Sequence, residues 1–455
     1  MGRDRRASTR PLVLSRQPTA RDIAARVIVR VEQDGAFASA ALESEFARAV
    51  QVQARDRALA TELVYGCLRV MPWLLDRAAR FAPRGLGGID ARVRAHLAVG
   101  IYQVFFTRVP AFAAVSEAVE AIKAIRGPRV AAFANAVLRR TAESAASDRD
   151  FREEAVIASA PEWLRQALER TLSAEGARAF LCCGTEAPAV ALRVEKTTER
   201  PQWVARLRSA APQAVFELGR VSPQAILARG AGKPQTLPGW GEGAWSVQEE
   251  GSQLAAIAVG AREGELVLDA CAGRGNKTAI LARAVGNSGA VDACDAMPSK
   301  LVRLKSELQR VGLSVRTGLA VDWKVGSGEV AGTYDRVLVD APCTGAGTLR
   351  RRPEIALRRE QTDLAAVASA QVAIASQAAA HVRLGGTLVY AVCSVLREEA
   401  EEVIDALVRA RPGLEPAAFE APEARAICGN LPYFRLLPHV QGTDGYFVAS
   451  LRRVR

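Results

Sequence analysis

Histidine is scarce in this chain: His96, His381 and His439 are the only three in 455 residues. The eight cysteines, Cys67, Cys182, Cys183, Cys271, Cys294, Cys343, Cys393 and Cys428, form no repeated Cys-x-x-Cys pairs. The two observations together argue against a zinc site, which needs closely spaced thiolate or imidazole ligands, and no metal is expected. Also missing is any apolar run of the ~18 residues that a membrane span requires. The opening segment, MGRDRRASTRPLVLSRQP, is basic and polar and lacks the apolar core and cleavage site of a secretory signal. It reads as a basic flexible tail over 1–18, and the expected address is the cytoplasm, where thiols stay reduced.

What is present is material for a large folded protein. Hydrophobic residues make up 49% and charged residues 24%, and the mean hydropathy is +0.04. At roughly 100–200 residues per domain, the length suggests two to four units. The formal net charge of +12 favours a polyanionic partner, because each Lys or Arg that neutralises a phosphate releases a counterion. A solvated basic surface gives the same total, so charge alone does not decide the matter.

From Thr19 to about Thr141 the pattern is helical. Thr19 and Asp22 have the spacing of a helix N-cap, and Ile23, Val27 and Val31 then lay one apolar stripe. The same period recurs at Leu59, Leu63, Gly66 and Val70, at Leu97, Ile101 and Val104, and at Val115, Val119 and Ile122. A segment rich in glycine from Pro83, and Pro110, separate these helices. An all-α bundle over 19–143 is therefore expected. Over 144–245, prolines break the periodicity; Glu162 to Thr171 reads as a helix and 190–194 alternates like a strand, which suggests a linker helix and a small α/β subdomain.

From 246 to 455 strands and helices alternate. The strands fall at 266–269, 290–295, near 320–322, at 336–340 and at 387–392, with helices over 277–285, through Leu313 and over 361–382. Such alternation implies a parallel sheet covered on both faces. In open sheets of that kind ligands bind at the carboxyl ends of the strands. Asp269, Asp295, Asp322, Asp340 and Cys393 each stand at or just past a strand end, although an Asp there also serves as an ordinary helix cap.

The turn after the first of these strands reads DACAGRGNKT, 269–278. Gly273 and Gly275 let the backbone turn tightly and approach a ligand, and the following helix offers its positive end. Thr278 stands where a dinucleotide fingerprint has its third glycine, which counts against NAD. Asp295, twenty residues after Gly275, suits the ribose hydroxyls of either NAD or S-adenosylmethionine. Two further stretches, DAPCTGAGTLRRRPE (340–354) and YAVCS (390–394), each carry a cysteine. Methylation at carbon 5 of cytosine requires a thiolate to add at carbon 6 and a base to remove the carbon-5 proton afterwards. Arg350, Arg351 and Arg352 are candidates either to lower a thiol pKa or to grip phosphate.

On these residues the chain resembles the RsmB branch of the NOL1/NOP2/Sun family of RNA 5-methylcytosine methyltransferases, almost end to end. The resemblance implies a Rossmann-like α/β methyltransferase domain with Cys393 as nucleophile, Cys343 assisting product release and Asp340 between cofactor and target cytosine. It likewise implies S-adenosylmethionine held by Cys271, Ala272, Gly273, Arg274, Gly275, Asn276 and Lys277, with Asp295 at the ribose, Asp322 by the adenine and Asp340 close by. The family's loop usually reads CAAPGGK, so Arg274 and Asn276 depart from it. VQEEGSQ (247–253) and the closing DGYFVASL (444–451) are similar to family segments, the latter to a final β-hairpin. DRALATELVYGCLR (56–69) and FANAVLRR (133–140) resemble NusB, an RNA-binding helical domain. The partner so implied is RNA, specifically small-subunit ribosomal RNA, bound by a monomer without DNA or membrane. The same chemistry on tRNA or another ribosomal site, and a non-catalytic RNA-binding assembly factor, are the alternatives.

Overall fold

The computed structural model describes residues 17–145 and 150–455, which fall into two compact units, 1–155 and 156–455. The basic tail expected over 1–18 lies outside the described residues except for Gln17 and Pro18.

The first unit is helical: α1 (Ala20–Gln33), α2 (Ala38–Arg48), α3 (Ala54–Ala79), α4 (Ala91–Phe106) and α5 (Ala111–Ser144). Thr19 starts α1 as its spacing implied. Its hydroxyl accepts from the Asp22 N–H at 3.2 Å, and the Asp22 carboxylate accepts from the Thr19 N–H at 2.9 Å. Ile23, Val27 and Val31 are buried along one face. Gly66 brings α3 against α4, since a methyl group there would stand 2.1 Å from the Tyr102 ring. One sequence expectation needs correction. By average hydropathy and length α3 is apolar enough to cross a membrane, even with Glu62 and Arg69 inside it. In this fold it is a core helix, with Leu63, Val64, Leu68, Trp73 and Leu74 buried, and it is broken at Val70 (φ −122°), two residues before Pro72. A further break, in α5, falls at Gly127 (φ 77°) ahead of Pro128, where no interruption was expected.

The second unit carries two sheets. The smaller contains β1 (Val190–Val194), β2 (Val215–Leu218), β3 (Ala225–Arg229) and β4 (Trp245–Val247), all antiparallel in the order β2-β3-β1-β4. Leu192, Val194, Trp203, Phe216 and Trp245 form its core. β1 does not alternate as expected: Ala191 to Val194 are all buried. The reason is Arg193, whose guanidinium is sequestered by Gln248 Oε1 (2.7 Å), the Asn276 carbonyl (2.6 Å) and Glu195.

The larger sheet contains β5 (Leu266–Asp269), β6 (Ala290–Asp295), β7 (Thr317–Ala320), β8 (Tyr334–Asp340), β9 (Val382–Val392), β10 (Leu414–Pro416), β11 (Tyr433–Leu436) and β12 (Tyr446–Arg453). Its order is β10-β12-β9-β8-β5-β6-β7, with β11 on β12. β5 to β9 run parallel, while β10, β11 and β12 pair antiparallel. The sheet is thus mixed rather than parallel throughout. Val382, expected to close a helix, opens β9, because the helix Gln361–Ala379 ends three residues earlier. Strand order reverses between β5 and β8, so the crevice expected of such a sheet opens at their carboxyl ends.

Candidate active site

Every residue proposed at a strand end is found on that edge. Asp269 closes β5, Asp295 closes β6 and Asp340 closes β8; Cys393 follows β9 by one residue and Asp322 follows β7 by two. The loop 270–276 then crosses the crevice from β5. Its two glycines have different reasons for being glycine. Both adopt positive φ, 58° at Gly273 and 88° at Gly275. A side chain at Gly275 would meet Leu304 Cγ at 2.9 Å, so that position is closed by the helix Pro298–Arg310, whereas nothing lies within 4 Å of a side chain at Gly273.

Asp295 anchors this loop. Its carboxylate is buried and accepts from the Gly273 N–H at 3.1 Å, the Met297 N–H at 2.9 Å and Lys300 Nζ at 3.2 Å. Ala272 donates to the Cys294 carbonyl at 2.7 Å, which fixes the loop against β6. No side chain caps the helix Asn276–Val285, Arg274 is exposed, and the Asn276 carbonyl is held by Arg193. Asp322 is exposed, with its carboxylate turned to its own loop at the Lys324 N–H, 3.0 Å away.

At the reversal point Lys277 Nζ donates to Asp340 Oδ2 at 2.7 Å. Burial works against the ammonium, yet the Asp340 carboxylate, with Cys393 and Asp269 behind it, raises the Lys277 pKa. Asp269 is fully buried and accepts from the Thr278 hydroxyl at 2.7 Å. Its Oδ1 is left without a well-formed hydrogen bond, and burial, reinforced by Asp340, pushes its pKa up to about 7. The Cys271 thiol is raised by burial and by Asp269, Asp340 and Asp295 together, which shows how closely the three carboxylates converge.

Cys343 and Cys393, fifty residues apart, bring their sulfurs to 3.2 Å. The Cys343 pKa is raised first by its hydrogen bond to Cys393, then by burial. Two of the three arginines singled out in the sequence are engaged elsewhere. Arg350 Nε and Arg351 Nε each donate to buried Asp444 at 2.8 Å. The cation that senses Cys393 is Lys277. Sequence reasoning also passed over Glu399 and Tyr446. Both are buried here, and the raised Tyr446 pKa reflects burial, then Glu249, Cys393, Asp444 and Asp340. A lone acid among the glutamates at 398–402 and a tyrosine in an apolar strand carry no sequence signal of such a place.

The crevice fits an adenosyl-type cofactor on the residues present: an uncrowded left-handed glycine, an uncapped helix start, a carboxylate at the end of β6, and a buried carboxyl with one oxygen incompletely satisfied. Among the described residues no group of three or more His, Cys, Asp or Glu is placed to hold a metal ion.

Residues 256–452 match the family model "16S rRNA methyltransferase RsmB/F", and residues 18–143 match "NusB family". The chain is 31% identical over 418 residues to ribosomal RNA small subunit methyltransferase B of Pseudomonas syringae pv. tomato, covering 89% of this chain and 91% of that one. It is 32% identical over 455 residues to the probable ribosomal RNA small subunit methyltransferase B of Bacillus subtilis, covering 96% and 99%. Among solved structures, the protein named PH0851 superposes with a TM-score of 0.78 at 23% identity, over 95% of this chain and 98% of that chain. NSun6 from Pyrococcus horikoshii with SFG gives 0.56 at 18% identity, over 65% and 98%. At these identities the solved structures speak for the fold alone.

Proposed function

This chain belongs to the 16S rRNA methyltransferase RsmB/F family, and on that premise we propose that it methylates carbon 5 of a small-subunit ribosomal RNA cytosine through Cys393. It is an S-adenosylmethionine-dependent RNA methyltransferase. The observation that carries the chemical reading is the 3.2 Å approach of Cys343 and Cys393 at the sheet edge where Lys277 meets Asp340.

Cofactor binding falls to residues 271–277 with Asp295, Asp322 and Asp340. When bound, S-adenosylmethionine supplies an electrophilic methyl group. The chain's own residues do the remainder. The Cys393 thiolate adds to carbon 6 of the cytosine, forming an S–C bond and moving an electron pair toward carbon 5. The Lys277–Asp340 pair holds a proton at the polar edge of the ring, where charge builds up as sulfur adds. Cys343, whose pKa is raised by its hydrogen bond to Cys393 and by burial, holds its proton 3.2 Å from that sulfur. Once Cys393 is bonded to carbon, Cys343 releases its S–H proton to solvent and, as the thiolate, takes the carbon-5 proton; the C–H pair re-forms the carbon 5–carbon 6 double bond and the S–C pair returns to Cys393 as thiolate. The target base must leave its stack to reach these sulfurs, which favours a single-stranded or locally opened RNA segment.

The proposed organisation is a NusB-like RNA-binding bundle (19–143), a linker helix and small α/β subdomain (144–245) and the methyltransferase domain (246–455), acting as a cytoplasmic monomer on RNA rather than DNA or membrane. The test is a pair of variants assayed on ribosomal RNA. Cys393→Ala is expected to abolish methyl transfer with cofactor affinity retained, and Cys343→Ala to accumulate a covalent protein–RNA band on a denaturing gel. Normal methylation by Cys393→Ala refutes the nucleophile assignment, and no band from Cys343→Ala under turnover refutes the release role.

A further inference from the structure

Glu399 lies outside the motifs that carry the chemistry, and its side chain is sealed from solvent at 0% exposure. A buried carboxylate is costly unless its lone pairs are filled. Here four donors fill them. Oε1 accepts from the Thr344 backbone N–H at 2.8 Å and from Gln371 Nε2 at 3.0 Å. Oε2 accepts from the hydroxyls of Thr344 and Ser394, both at 2.5 Å.

The identity of these donors gives the arrangement its meaning. Thr344 follows Cys343 and Ser394 follows Cys393, so one carboxylate grips the residue next to each thiol. Gln371 also donates to the Pro342 carbonyl at 3.0 Å, which holds Cys343 from its other side. Tyr390, on β9 three residues before Cys393, donates its hydroxyl to the Glu399 carbonyl at 2.8 Å. Backbone hydrogen bonds join the two ends on either side, from the Ala341 N–H to the Ala391 carbonyl at 2.9 Å and from the Gly347 N–H to the Cys393 carbonyl at 3.0 Å, while the intervening residues 342–345, which carry Cys343, are irregular and are held by side chains.

We propose that Glu399 is a positioning residue that clamps the two cysteine loops and thereby sets the sulfur-to-sulfur approach on which the reaction depends. The proposal rests on the roles given above to Cys343 and Cys393 and deepens them. A carboxamide fits the same place. Its oxygen accepts from the Thr344 N–H and Gln371, and its amine donates to the two hydroxyls, which turn to accept. Glutamine therefore preserves the clamp and alanine abolishes it, so the two variants separate positioning from charge.

The experiment uses the full chain and two readouts. The first is steady-state methylation of ribosomal RNA, with cofactor affinity by calorimetry. The second, without RNA or cofactor, is the rate at which diamide, a two-electron thiol oxidant, converts the two thiols into a Cys343–Cys393 disulfide, followed by mass spectrometry. Glu399→Ala is expected to lower kcat about 100-fold, the scale of an ångström-sized misplacement, with KM and cofactor affinity little changed. Its cross-linking rate is expected to fall about 10-fold or more as effective concentration is lost. Glu399→Gln is expected to recover both to within a few-fold. Wild-type cross-linking and kcat in Glu399→Ala overturn the proposal, as does a Glu399→Gln variant as impaired as Glu399→Ala. Thr344→Val and Ser394→Ala, which remove one hydroxyl each, serve if Glu399→Ala does not fold: slower cross-linking in both supports the clamp, and wild-type rates in both overturn it. Because cross-linking reads proximity without catalysis, an error in the nucleophile assignment, visible as an active Cys393→Ala, is separable from an error about Glu399.

Discussion

Alanine substitutions at the two glycines of the 270–276 loop are expected to fail in different ways. At Gly275 the side chain meets Leu304 Cγ at 2.9 Å and Leu304 Cα at 3.3 Å while the backbone sits at φ 88°. A left-handed alanine costs about 1–2 kcal/mol, and overpacking a buried helix adds about 1–3 kcal/mol. At roughly 2–4 °C per kcal/mol for a large domain, Gly275→Ala lowers the melting temperature of the 156–455 unit by about 5–15 °C. At Gly273 the backbone is again left-handed, with φ 58°, but no atom lies within 4 Å of the new carbon. Only the backbone cost of about 1–2 kcal/mol remains, equivalent to roughly 2–8 °C. The new methyl then occupies space in which the ligand approaches the loop. Calorimetric titration of S-adenosylmethionine is therefore expected to show at least about 10-fold weaker binding, or ~1.4 kcal/mol, to Gly273→Ala. Scanning calorimetry and titration on both variants decide the matter. If Gly273→Ala binds the cofactor like wild type, or loses as much stability as Gly275→Ala, the cradle has been assigned to the wrong residue.

Lys277→Met removes the donor 2.7 Å from Asp340. A hydrogen bond between charged groups contributes about 1.5–3 kcal/mol, so kcat is expected to fall roughly 10- to 100-fold; steady-state kinetics showing a change in KM alone would falsify a role in the chemical step. Asp269 gives a pH signature. Its folded-state pKa, about 7, stands above the ordinary carboxylate value. Its contribution to stability is therefore complete below about pH 4 and is lost as pH rises through about 7. The melting temperature of cofactor-free Asp269→Asn relative to wild type is expected to climb between pH 5 and pH 8, and a flat difference in scanning calorimetry rejects the assignment.

The sequence made the periodic and the short-range features legible. Thr19 and Asp22 announce the start of α1, and strand ends bearing Asp269, Asp295 and Asp340 mark the edge where the crevice falls. Pairings across long separations were not legible. Nothing local tells that Arg350 and Arg351 bind Asp444, ninety-odd residues on, and so are committed to holding two segments together. Nor does β1 advertise that Arg193 will be buried, since a charged residue in a five-residue strand reads as the solvent face. Glu399 is hidden for a related reason: its partners come from the segments that follow β8 and β9 and from the helix Gln361–Ala379, and only the folded sheet assembles them.

Arg193 bears on how the chain can be divided. Its guanidinium, carried by the small sheet, sits on the carbonyl of Asn276 and on Gln248, while Glu195, one residue past the end of the same strand, reaches Arg283 in the helix that Asn276 begins. A fragment starting at the first strand of the large sheet keeps each residue named in the chemistry but leaves that carbonyl and that helix without their cationic and anionic braces. The loop and helix proposed to hold the cofactor are accordingly braced from two sheets, and their smallest self-sufficient carrier includes both.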